Sequence, residues 1–249
     1  MTETLQHNPD QRCIVIVPAF NEAESIADVV RDIHQHLSDA DVLVVDDGST
    51  DGTHRHVPGD AVLLRLPFNL GIGGAMQAGY RYANLHGYDI AIQIDGDGQH
   101  PADQADILIK ALHTTGGDMV IGSRFLSDDP SYLPSASRTV GIRVVRLVLR
   151  LLSGLRVTDC TSGFRACNRK VIEAFARWYP EDYPEPEVIL LLHRAGFRIE
   201  EVPVRMRPRT TGRTSIPFIK GVFYILKVSL ALLLDMVRRP WPDTQARRP

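Results

Sequence analysis

The amino-acid sequence predicts an α/β fold built on a doubly wound, mostly parallel sheet. The chain has 249 residues, of which 44% are hydrophobic and 23% charged, which is enough to bury the core of one domain. Short apolar runs rich in valine and isoleucine alternate with longer segments whose apolar residues recur at helical spacing. Each run ends in a polar loop. Because ligands of such sheets bind beyond the carboxyl ends of the strands, these loops are the first place to look for a site.

Five apolar runs are predicted to be strands, at residues 13–17, 42–45, 63–66, 90–94 and 118–122. Pro18 ends the first run, and we expect Asn21 or Ser25 to cap the helix that follows. A second helix is predicted from Ala75 to Leu85, after a glycine-rich segment. The sequence shows neither a linker of domain size nor an internal repeat.

The three cysteines, Cys13, Cys160 and Cys167, have no C-x-x-C spacing, which argues against a disulfide framework and against a thiolate zinc site. The first residues of the sequence lack the basic patch and apolar run of a secretory signal. We therefore expect a protein of the reducing cytoplasm.

Charge is divided unevenly along the chain. Residues 1–137 hold 7 Lys or Arg against 20 Asp or Glu, whereas residues 138–249 hold 21 against 10. The basic half is compatible with nucleic acid, anionic lipid or a diphosphate as partner. Nucleic acid is the least favoured of the three, because aliphatic rather than stacking aromatic side chains lie between the basic residues, and because the acidic loops would repel a phosphate backbone.

Asp95 and Asp97 flank Gly96 immediately after an apolar strand. Two carboxylates at a position that backbone can approach closely are typical of Mg²⁺ or Mn²⁺ bound together with substrate phosphates. Gln99 and His100 follow and are candidates to complete the metal shell. A simple turn is the alternative, since Asp and Gly are common turn residues.

Three further features suit a nucleoside diphosphate. Asp46 and Asp47 end another strand, where a carboxylate accepts hydrogen bonds from a ribose or base amide; solvated turn carboxylates are the alternative. The G-x-G-G segment at 71–74 resembles a phosphate-binding loop before a helix, although it lacks the Walker lysine and the full dinucleotide fingerprint. For any single arginine an ordinary surface position is the favoured interpretation, but five of them as a set favour bidentate phosphate binding: Arg124, Arg138, Arg165, Arg209 and Arg213.

Several spaced motifs occur together in a fixed order: PAFNE at 18–22, VDDGSTDGT at 45–53, NLG at 69–71, DGDGQHP at 95–101 and IGSRF at 121–125. They resemble the motifs of family 2 glycosyltransferases. DCTSGFR at 159–165 and EVPV at 201–204 further resemble the branch of dolichyl-phosphate mannose and polyprenyl-phosphate glucose synthases. The resemblance runs from residue 12 to residue 237 and implies the nucleotide-sugar transferase fold called GT-A.

The resemblance also implies roles for single residues. Glu22 and Asp47 would bind the nucleoside, and Asp95, Asp97 and Gln99 would bind the metal, with Asp97 also among the catalytic residues. The whole nucleotide-sugar site would comprise Pro18, Phe20, Asn21, Glu22, Asp47, Gly48, Ser49, Asn69, Gly73, Asp95, Gly96 and Arg209. The acceptor phosphate would be bound by Arg124, which is also counted as catalytic, and by Arg138, Ser162 and Arg165. RTTGRTS at 209–215 departs from the branch pattern by lacking its final lysine, and Arg213 is the candidate replacement for that charge.

The expected reaction is inverting transfer of a hexose to a polyprenyl phosphate. A phosphate monoester has a second pKa of roughly 6, so it can attack the anomeric carbon without a general base. A sugar hydroxyl would need a base, and Glu185, in the YPEPE segment before an apolar helix, is the candidate and is counted as catalytic. The two prolines of that segment also suit a simple helix start. A sugar-nucleotide-binding module without turnover is the third alternative.

Two segments are predicted to be amphipathic helices that face a membrane. Residues 141–152 carry a basic stripe of Arg143, Arg146 and Arg150, and residues 217–239 carry one of Lys220, Lys227 and Arg238. The longest uncharged stretch of the second segment, residues 228–234, is far shorter than the ~18–20 apolar residues that span a bilayer. We therefore expect a helix lying in the interface, with an ordinary core helix as the alternative.

The predicted organisation is a flexible N-terminus at 1–11, a GT-A catalytic domain at 12–215, an amphipathic interfacial helix at 216–239 and a flexible tail at 240–249. The expected partners are a UDP- or GDP-hexose, a divalent cation (Mg²⁺ or Mn²⁺), an undecaprenyl- or dolichyl-type phosphate and the inner face of the cell membrane. A small membrane protein is a further candidate at that surface, and nucleic acid is not expected.

Overall fold

The computed structural model describes residues 11–126, 136–181, 184–207 and 218–237, with backbone only at 136–138, 218–224 and 226. The seven strands of these residues are β1 (Cys13–Ala19), β2 (Ala40–Asp46), β3 (Val62–Arg65), β4 (Ile90–Gln93), β5 (Met119–Ser123), β6 (Arg165–Asn168) and β7 (Ile199–Pro203). The helices are α1 (Ile26–His36), α2 (Gly71–Leu85), α3 (Ala105–Thr115), α4 (Ala136–Ser153), α5 (Arg169–Arg177), α6 (Pro184–Arg194) and α7 (Phe218–Val237). Apart from Gln11, the segments predicted to be flexible at the two ends lie outside the described residues.

The strands form one sheet in the order β3-β2-β1-β4-β6-β5-β7. β1 pairs in parallel with β2 and β4, β2 with β3, and β5 with β7. Only β6 among the described strands runs antiparallel to its neighbours, β4 and β5. The prediction of a doubly wound, mostly parallel sheet is confirmed, and the polar loops after β1, β2 and β4 lie together at one edge.

Two hydrophobic cores cover the two faces of the sheet. Along β1, Ile14 and Ile16 face the core that α2, α5 and α6 also line. Val15 and Val17 face the core that α1 and α3 line. Successive side chains of a strand point to opposite faces, so a strand buried on both faces needs an unbroken apolar run, which β1 supplies.

Helix α2 begins at Gly71, four residues before the predicted start at Ala75. The carboxylate of Asp47 accepts hydrogen bonds from the backbone N–H groups of Leu70, at 2.7 Å, and Gly71, at 2.9 Å. A helix start leaves such N–H groups without partners inside the helix. Here a side chain from the end of β2 caps the helix, so the glycine-rich segment forms the first turn rather than a loop before it.

The predicted side-chain cap of α1 is wrong. Ser25 occupies the N-cap position, but its hydroxyl makes no capping bond and donates instead to the carbonyl oxygen of Gly96, at 2.7 Å. The side chain of Asn21 accepts a bond from the N–H of Thr50, at 2.9 Å. Both side chains therefore tie the loops of the sheet edge to one another.

The three cysteines are free and buried. Burial is the largest cause that raises the pKa of each thiol, Cys13, Cys160 and Cys167, to about 12. Since the thiolate is the reactive form of cysteine, all three behave as small hydrophobic residues at neutral pH.

Helices α4 and α7 pack against each other, and α7 also contacts α6. A Cβ atom at Gly141 would lie 3.2 Å from Cδ1 of Ile225, so the missing side chain permits close approach of the two helices. Arg146 donates to the carbonyl oxygen of Val157, at 3.1 Å, and thus leaves the predicted basic stripe. Across the parts of the chain that the structure describes, no helix combines the length and apolar character needed to cross a membrane.

Candidate active site

A cleft of about 350 Å³ opens at the carboxyl ends of β1, β2 and β4. It brings together eight of the residues that the sequence predicts for the nucleotide-sugar and metal sites: Pro18, Phe20, Glu22, Asp47, Asn69, Asp95, Gly96 and Asp97. Four further residues line the cleft: Ala19, Gly71, Ile72 and Ala75. Gly71 and Ile72 belong to the G-x-G-G segment that resembles a phosphate-binding loop, whereas Ala75 has no predicted role in the site. A cleft of this volume falls in the range of small-molecule sites.

Three other predicted nucleotide-site residues shape the loops around the cleft. Asn21 has a positive φ of 58°, and its N–H donates to the hydroxyl of Ser49, at 2.9 Å. Gly48 also has a positive φ, of 69°, and a Cβ there would lie 2.7 Å from the backbone carbon of Phe68. Only glycine meets both conditions without strain.

Gly73 faces away from the cleft. A Cβ at this position would lie 2.1 Å from the carbonyl oxygen of Pro180 and 2.5 Å from that of Glu181. Packing of α2 against this backbone accounts for the glycine without a phosphate. The same contact joins the helix that Asp47 caps to the chain segment that leads into α6.

Two side chains position Asp95, one bonded to its carboxylate and one to its backbone N–H. Gln93 donates from its amide to Oδ1 of Asp95, at 3.0 Å, and the N–H of Asp95 donates to Nδ1 of His100, also at 3.0 Å. His100 stacks on the buried ring of Phe164, with 5.2 Å between ring centroids. His100 thus lies between Phe164 and Asp95, with its Nε2 3.7 Å from Oδ2 of Asp95.

The second carboxylate of the motif, Asp97, accepts a hydrogen bond from the N–H of Gln99, at 3.0 Å. Between the two, Gly96 donates to the carbonyl oxygen of Pro18, at 3.2 Å, which fixes the turn against β1. Among the residues that the structure describes, no three His, Cys, Asp or Glu side chains lie together as a metal site. Asp95 and Asp97 would supply the carboxylates of a metal site here, the kind of site in which substrate phosphates complete the shell.

Space over Asp95 depends on Gly163. A Cβ on Gly163 would lie 3.1 Å and 3.3 Å from the two carboxylate oxygens of Asp95 and would crowd them. The Asp95 side chain is 35% exposed, and its carboxylate, like that of Asp97, is a hard oxygen donor that fits a divalent cation.

The acceptor side of the predicted site contains a buried ion pair. Nε and Nη2 of Arg124 donate to the two oxygens of Asp159, at 2.6 Å and 2.7 Å, and Nη2 also donates to the hydroxyl of Thr161, at 2.8 Å. Burial alone would raise the pKa of Asp159, but its hydrogen bonds and the charge of Arg124 outweigh burial and hold the pKa below its usual value. The pair is therefore ionised at neutral pH.

Arg165 joins this side of the site to Glu185. Its guanidinium donates to the carbonyl oxygens of Ser162 and Glu185, both at 2.8 Å. Burial raises the pKa of the Glu185 carboxyl, the charge of Asp95 raises it further, and the charges of Arg165 and Arg124 oppose the change. Glu185 thus stands within electrostatic reach of both the acidic motif and the arginines.

Ser162 is buried, and its hydroxyl accepts a bond from the N–H of Phe164, at 3.3 Å. Arg209 and Arg213 lie outside the described residues, as does the side chain of Arg138. Tyr179 was missed by sequence reasoning: it is buried beside Arg165 and Glu185, and burial raises its pKa.

Residues 14–175 match the family model of glycosyl transferase family 2. The chain belongs to this family. It is therefore a glycosyltransferase, as the motif resemblance implies, and the cleft at the sheet edge is its candidate active site.

Two bacterial relatives show the branch. The chain is 30% identical to polyprenol monophosphomannose synthase of Mycolicibacterium smegmatis, over 82% of this chain and 80% of that one. It is 32% identical to undecaprenyl-phosphate mannosyltransferase of Micrococcus luteus, over 82% and 87% of the two chains. The predicted resemblance to the polyprenyl-phosphate branch is confirmed.

The fold matches that of glucosyl-3-phosphoglycerate synthase from Mycobacterium tuberculosis, crystallised in complex with Mg²⁺ and uridine diphosphate. The TM-score is 0.70 at 22% identity, over 94% of this chain and 82% of that one. This glycosyltransferase therefore has the predicted GT-A fold.

Proposed function

We propose that this chain is an inverting, metal-dependent transferase that moves a hexose from UDP- or GDP-hexose to a polyprenyl phosphate of undecaprenyl or dolichyl type. The names of the two bacterial relatives support the lipid phosphate. The observation that carries the proposal is the meeting of opposite charges at one place. Asp95 lines the acidic cleft, and a Cβ on Gly163, two residues before the buried Arg165, would lie 3.1 Å and 3.3 Å from its carboxylate oxygens.

The proposed catalytic domain spans 12–215, and in it Asp95 and Asp97, with Gln99, would hold Mg²⁺ or Mn²⁺. The relative from M. tuberculosis was crystallised with either ion. A divalent cation held there would stabilise negative charge on the departing nucleoside diphosphate. Glu22 and Asp47, both on the cleft wall, would bind the nucleoside part of the donor.

The chain's own residues prepare the acceptor. The guanidinium of Arg124 is fixed through Nε and Nη2, which donate to Asp159 and Thr161. A phosphate would therefore be bound by Nη1, without a further loss of side-chain freedom. A lipid phosphate with a second pKa of roughly 6 is already a dianion at neutral pH. It needs positioning rather than deprotonation, and attack from the face opposite the leaving group inverts the anomeric carbon.

A sugar hydroxyl of a cell-envelope glycan or glycolipid is the second candidate acceptor, and the raised pKa of Glu185 favours it. A carboxyl whose pKa is raised by burial is a better general base near neutral pH than an ordinary one. The variant Glu185→Gln separates the two acceptors. If the lipid phosphate attacks unaided, the variant keeps most of its activity; a loss of several orders of magnitude would show that a hydroxyl is the acceptor.

Helices α4 and α7 support attachment to the cytoplasmic face of the membrane. Both helices expose rows of large apolar side chains: Val140, Val144, Leu147 and Leu151 on α4, and Leu230, Leu233, Leu234 and Val237 on α7. Arg143 and Arg150 are exposed beside the α4 row, and Lys227 is exposed on α7. Exposed leucines bordered by basic residues suit an anionic interface. Residues 216–239 would then be the interfacial segment, and a small membrane protein is a further candidate partner at this surface.

Thermal unfolding with candidate donors tests the donor half of the proposal. UDP-, GDP- and dTDP-sugars are added with Mn²⁺ or Mg²⁺, and one of the first two is expected to raise the Tm in a metal-dependent way. Asp97→Ala should remove this metal dependence and all sugar transfer. Stabilisation without transfer to any acceptor would favour a binding module instead.

A further inference from the structure

Glu201, on β7, lies behind the acceptor side of the site and belongs to the EVPV motif, for which the proposed function gives no role. One of its carboxylate oxygens accepts the N–H of Thr158, at 2.7 Å. The other accepts the N–H of Asp159, at 2.8 Å, and the hydroxyl of Thr158, at 3.0 Å. Three donors from one turn thus converge on a single carboxylate, and hydrogen bonds to an ionised acceptor are among the strongest in proteins.

The turn that Glu201 holds carries the partner of Arg124. Asp159 is fully buried, and its two oxygens receive the parallel bonds from the Arg124 guanidinium. The N–H of Arg124 also donates to Asp159, at 3.2 Å. A shift of the turn by a fraction of an ångström would therefore move the guanidinium with it.

A fourth contact ties the turn to the end of β5. The hydroxyls of Ser123 and Thr158 lie 2.6 Å apart, and Ser123 precedes Arg124 directly. In the sheet, Ser123 pairs with Pro203 and Ile121 pairs with Glu201. The backbone of Arg124 and its guanidinium are thus both anchored to the paired strands β5 and β7.

We propose that Glu201 is a positioning residue for the acceptor phosphate: it fixes the turn at Thr158 and Asp159, and the turn holds the Arg124 guanidinium in one orientation. The inference rests on the proposed role of Arg124 in the acceptor site. A long arginine side chain loses conformational freedom when it binds a phosphate, and a fixed guanidinium has lost it already. Loss of Glu201 should therefore weaken acceptor binding and leave nucleotide binding unchanged.

The test compares Glu201→Gln with Glu200→Gln. The substitution keeps the shape of the side chain, but the amide places an NH₂ group against the backbone N–H of Thr158 or Asp159. Glu200 is the neighbouring residue on β7, and its side chain instead forms an ion pair with Arg198, at 3.6 Å. Farnesyl phosphate, a short soluble polyprenyl phosphate, is titrated by calorimetry well below the Tm of each variant, and UDP and GDP are titrated with Mg²⁺ in parallel.

Glu201→Gln is expected to raise the Kd of farnesyl phosphate about tenfold, which corresponds to ~1.4 kcal/mol, and to leave the nucleotide Kd unchanged. Glu200→Gln is expected to change neither. If Glu201 acts through Arg124, the double variant with Arg124→Gln should bind farnesyl phosphate no more weakly than Arg124→Gln alone. Should Glu201→Gln fail to fold, Thr158→Val removes the hydroxyl contacts alone and is expected to raise the same Kd by a smaller factor.

The outcomes separate the positioning role from the function on which it rests. If farnesyl phosphate binds the unmodified protein no better than farnesol, or if Arg124→Gln leaves its Kd unchanged, the proposed acceptor site is wrong and the positioning role falls with it. If Arg124→Gln weakens binding but Glu201→Gln does not, or if Glu201→Gln weakens acceptor and nucleotide equally, only the positioning role is wrong.

Discussion

The contact between Gly73 and the segment before α6 yields a quantitative prediction. In Gly73→Ala, the new methyl group would stand 2.1 Å from the carbonyl oxygen of Pro180 and 2.6 Å from Cα of Glu181. Ordinary contacts at such atoms begin near 3.4 Å, so backbone must move by about 1 Å. Glu185 is four residues beyond Glu181, and its carbonyl oxygen accepts a hydrogen bond from Arg165, at 2.8 Å. We expect the movement to reach this arginine of the proposed acceptor site.

The expected magnitudes follow from two opposing effects on stability and one on catalysis. Overpacking costs about 1–3 kcal/mol, and the better helix propensity of alanine returns about 1 kcal/mol. The net loss of ~0–2 kcal/mol should lower the Tm by no more than about 8 °C in a chain of this size. Misplacement of a site by about 1 Å can cost 10²-fold in rate, so kcat/KM should fall far more than stability does.

The matched control is Gly79→Ala, in the same helix. Its methyl group would meet a side-chain methyl of Ile16, at 2.4 Å, in the core and away from Pro180. Both variants are assayed for sugar transfer well below their Tm values. Equal kcat/KM for Gly73→Ala and the unmodified protein, or equal losses in both variants, would refute the coupling between α2 and the acceptor side of the site.

Three further predictions concern charge and the membrane. Burial raises the folded-state pKa of Glu185 above its usual value, so the unmodified protein loses stability as the pH rises from that usual value through the folded-state pKa. In urea unfolding, the stability of Glu185→Gln relative to the unmodified protein should increase over the same pH range. A stability difference that does not change with pH would contradict the raised pKa. Asp159→Asn leaves a buried guanidinium without its counter-charge and should lower the free energy of unfolding in urea by ~3–5 kcal/mol. The control, Asp28→Asn, removes an exposed ion pair with Arg31 and should lower it by less than ~1 kcal/mol. Similar losses in the two variants would contradict the structural role of the buried pair. Replacing Leu147 and Leu151 together by serine should reduce sedimentation with anionic vesicles at least tenfold, since each leucine buried in the membrane contributes ~1.5–3 kcal/mol. The control, Leu85→Ser at the end of α2, should leave sedimentation unchanged. Equal sedimentation of both variants would argue against this membrane surface.

The strands that carry the cleft were predictable from sequence because each is an unbroken apolar run. β1, β2 and β4 are buried on both faces, and a run such as that at 13–17, short and rich in β-branched residues, is typical of a buried parallel strand. β6 gave no such signal, because its four residues are bounded by Arg165 and Asn168 and its antiparallel direction depends on long-range pairing. Order along the chain does not determine which neighbour a short strand selects.

The site residues separate in the same way. Asp95, Asp97 and Glu22 follow strands directly, so their meeting at one sheet edge follows from topology. The early start of α2 depends on Asp47, more than twenty residues away, and no local pattern reveals that cap. Gly73 resembled part of a phosphate loop because spacing alone cannot tell a glycine that approaches a ligand from one that approaches backbone.

The supporting side chains were the least visible from sequence. The sequence places His100 beside the acidic motif, and only the fold shows that its ring lies behind Asp95 and on Phe164. The bonds of Glu201 reach a turn some forty residues earlier in the chain. Such contacts are set by tertiary packing, which overrides local preference.

The identity of the acceptor is the central claim, and a direct transfer assay tests it. The purified protein is incubated with Mg²⁺ or Mn²⁺, a radiolabelled UDP- or GDP-hexose, and either undecaprenyl phosphate or undecaprenol in anionic vesicles. We expect radiolabel in the lipid fraction when undecaprenyl phosphate is the acceptor and none when undecaprenol is. With the variant Asp97→Ala we expect no label for either acceptor. Label transferred to undecaprenol, with undecaprenyl phosphate left unmodified, would contradict the lipid phosphate as acceptor.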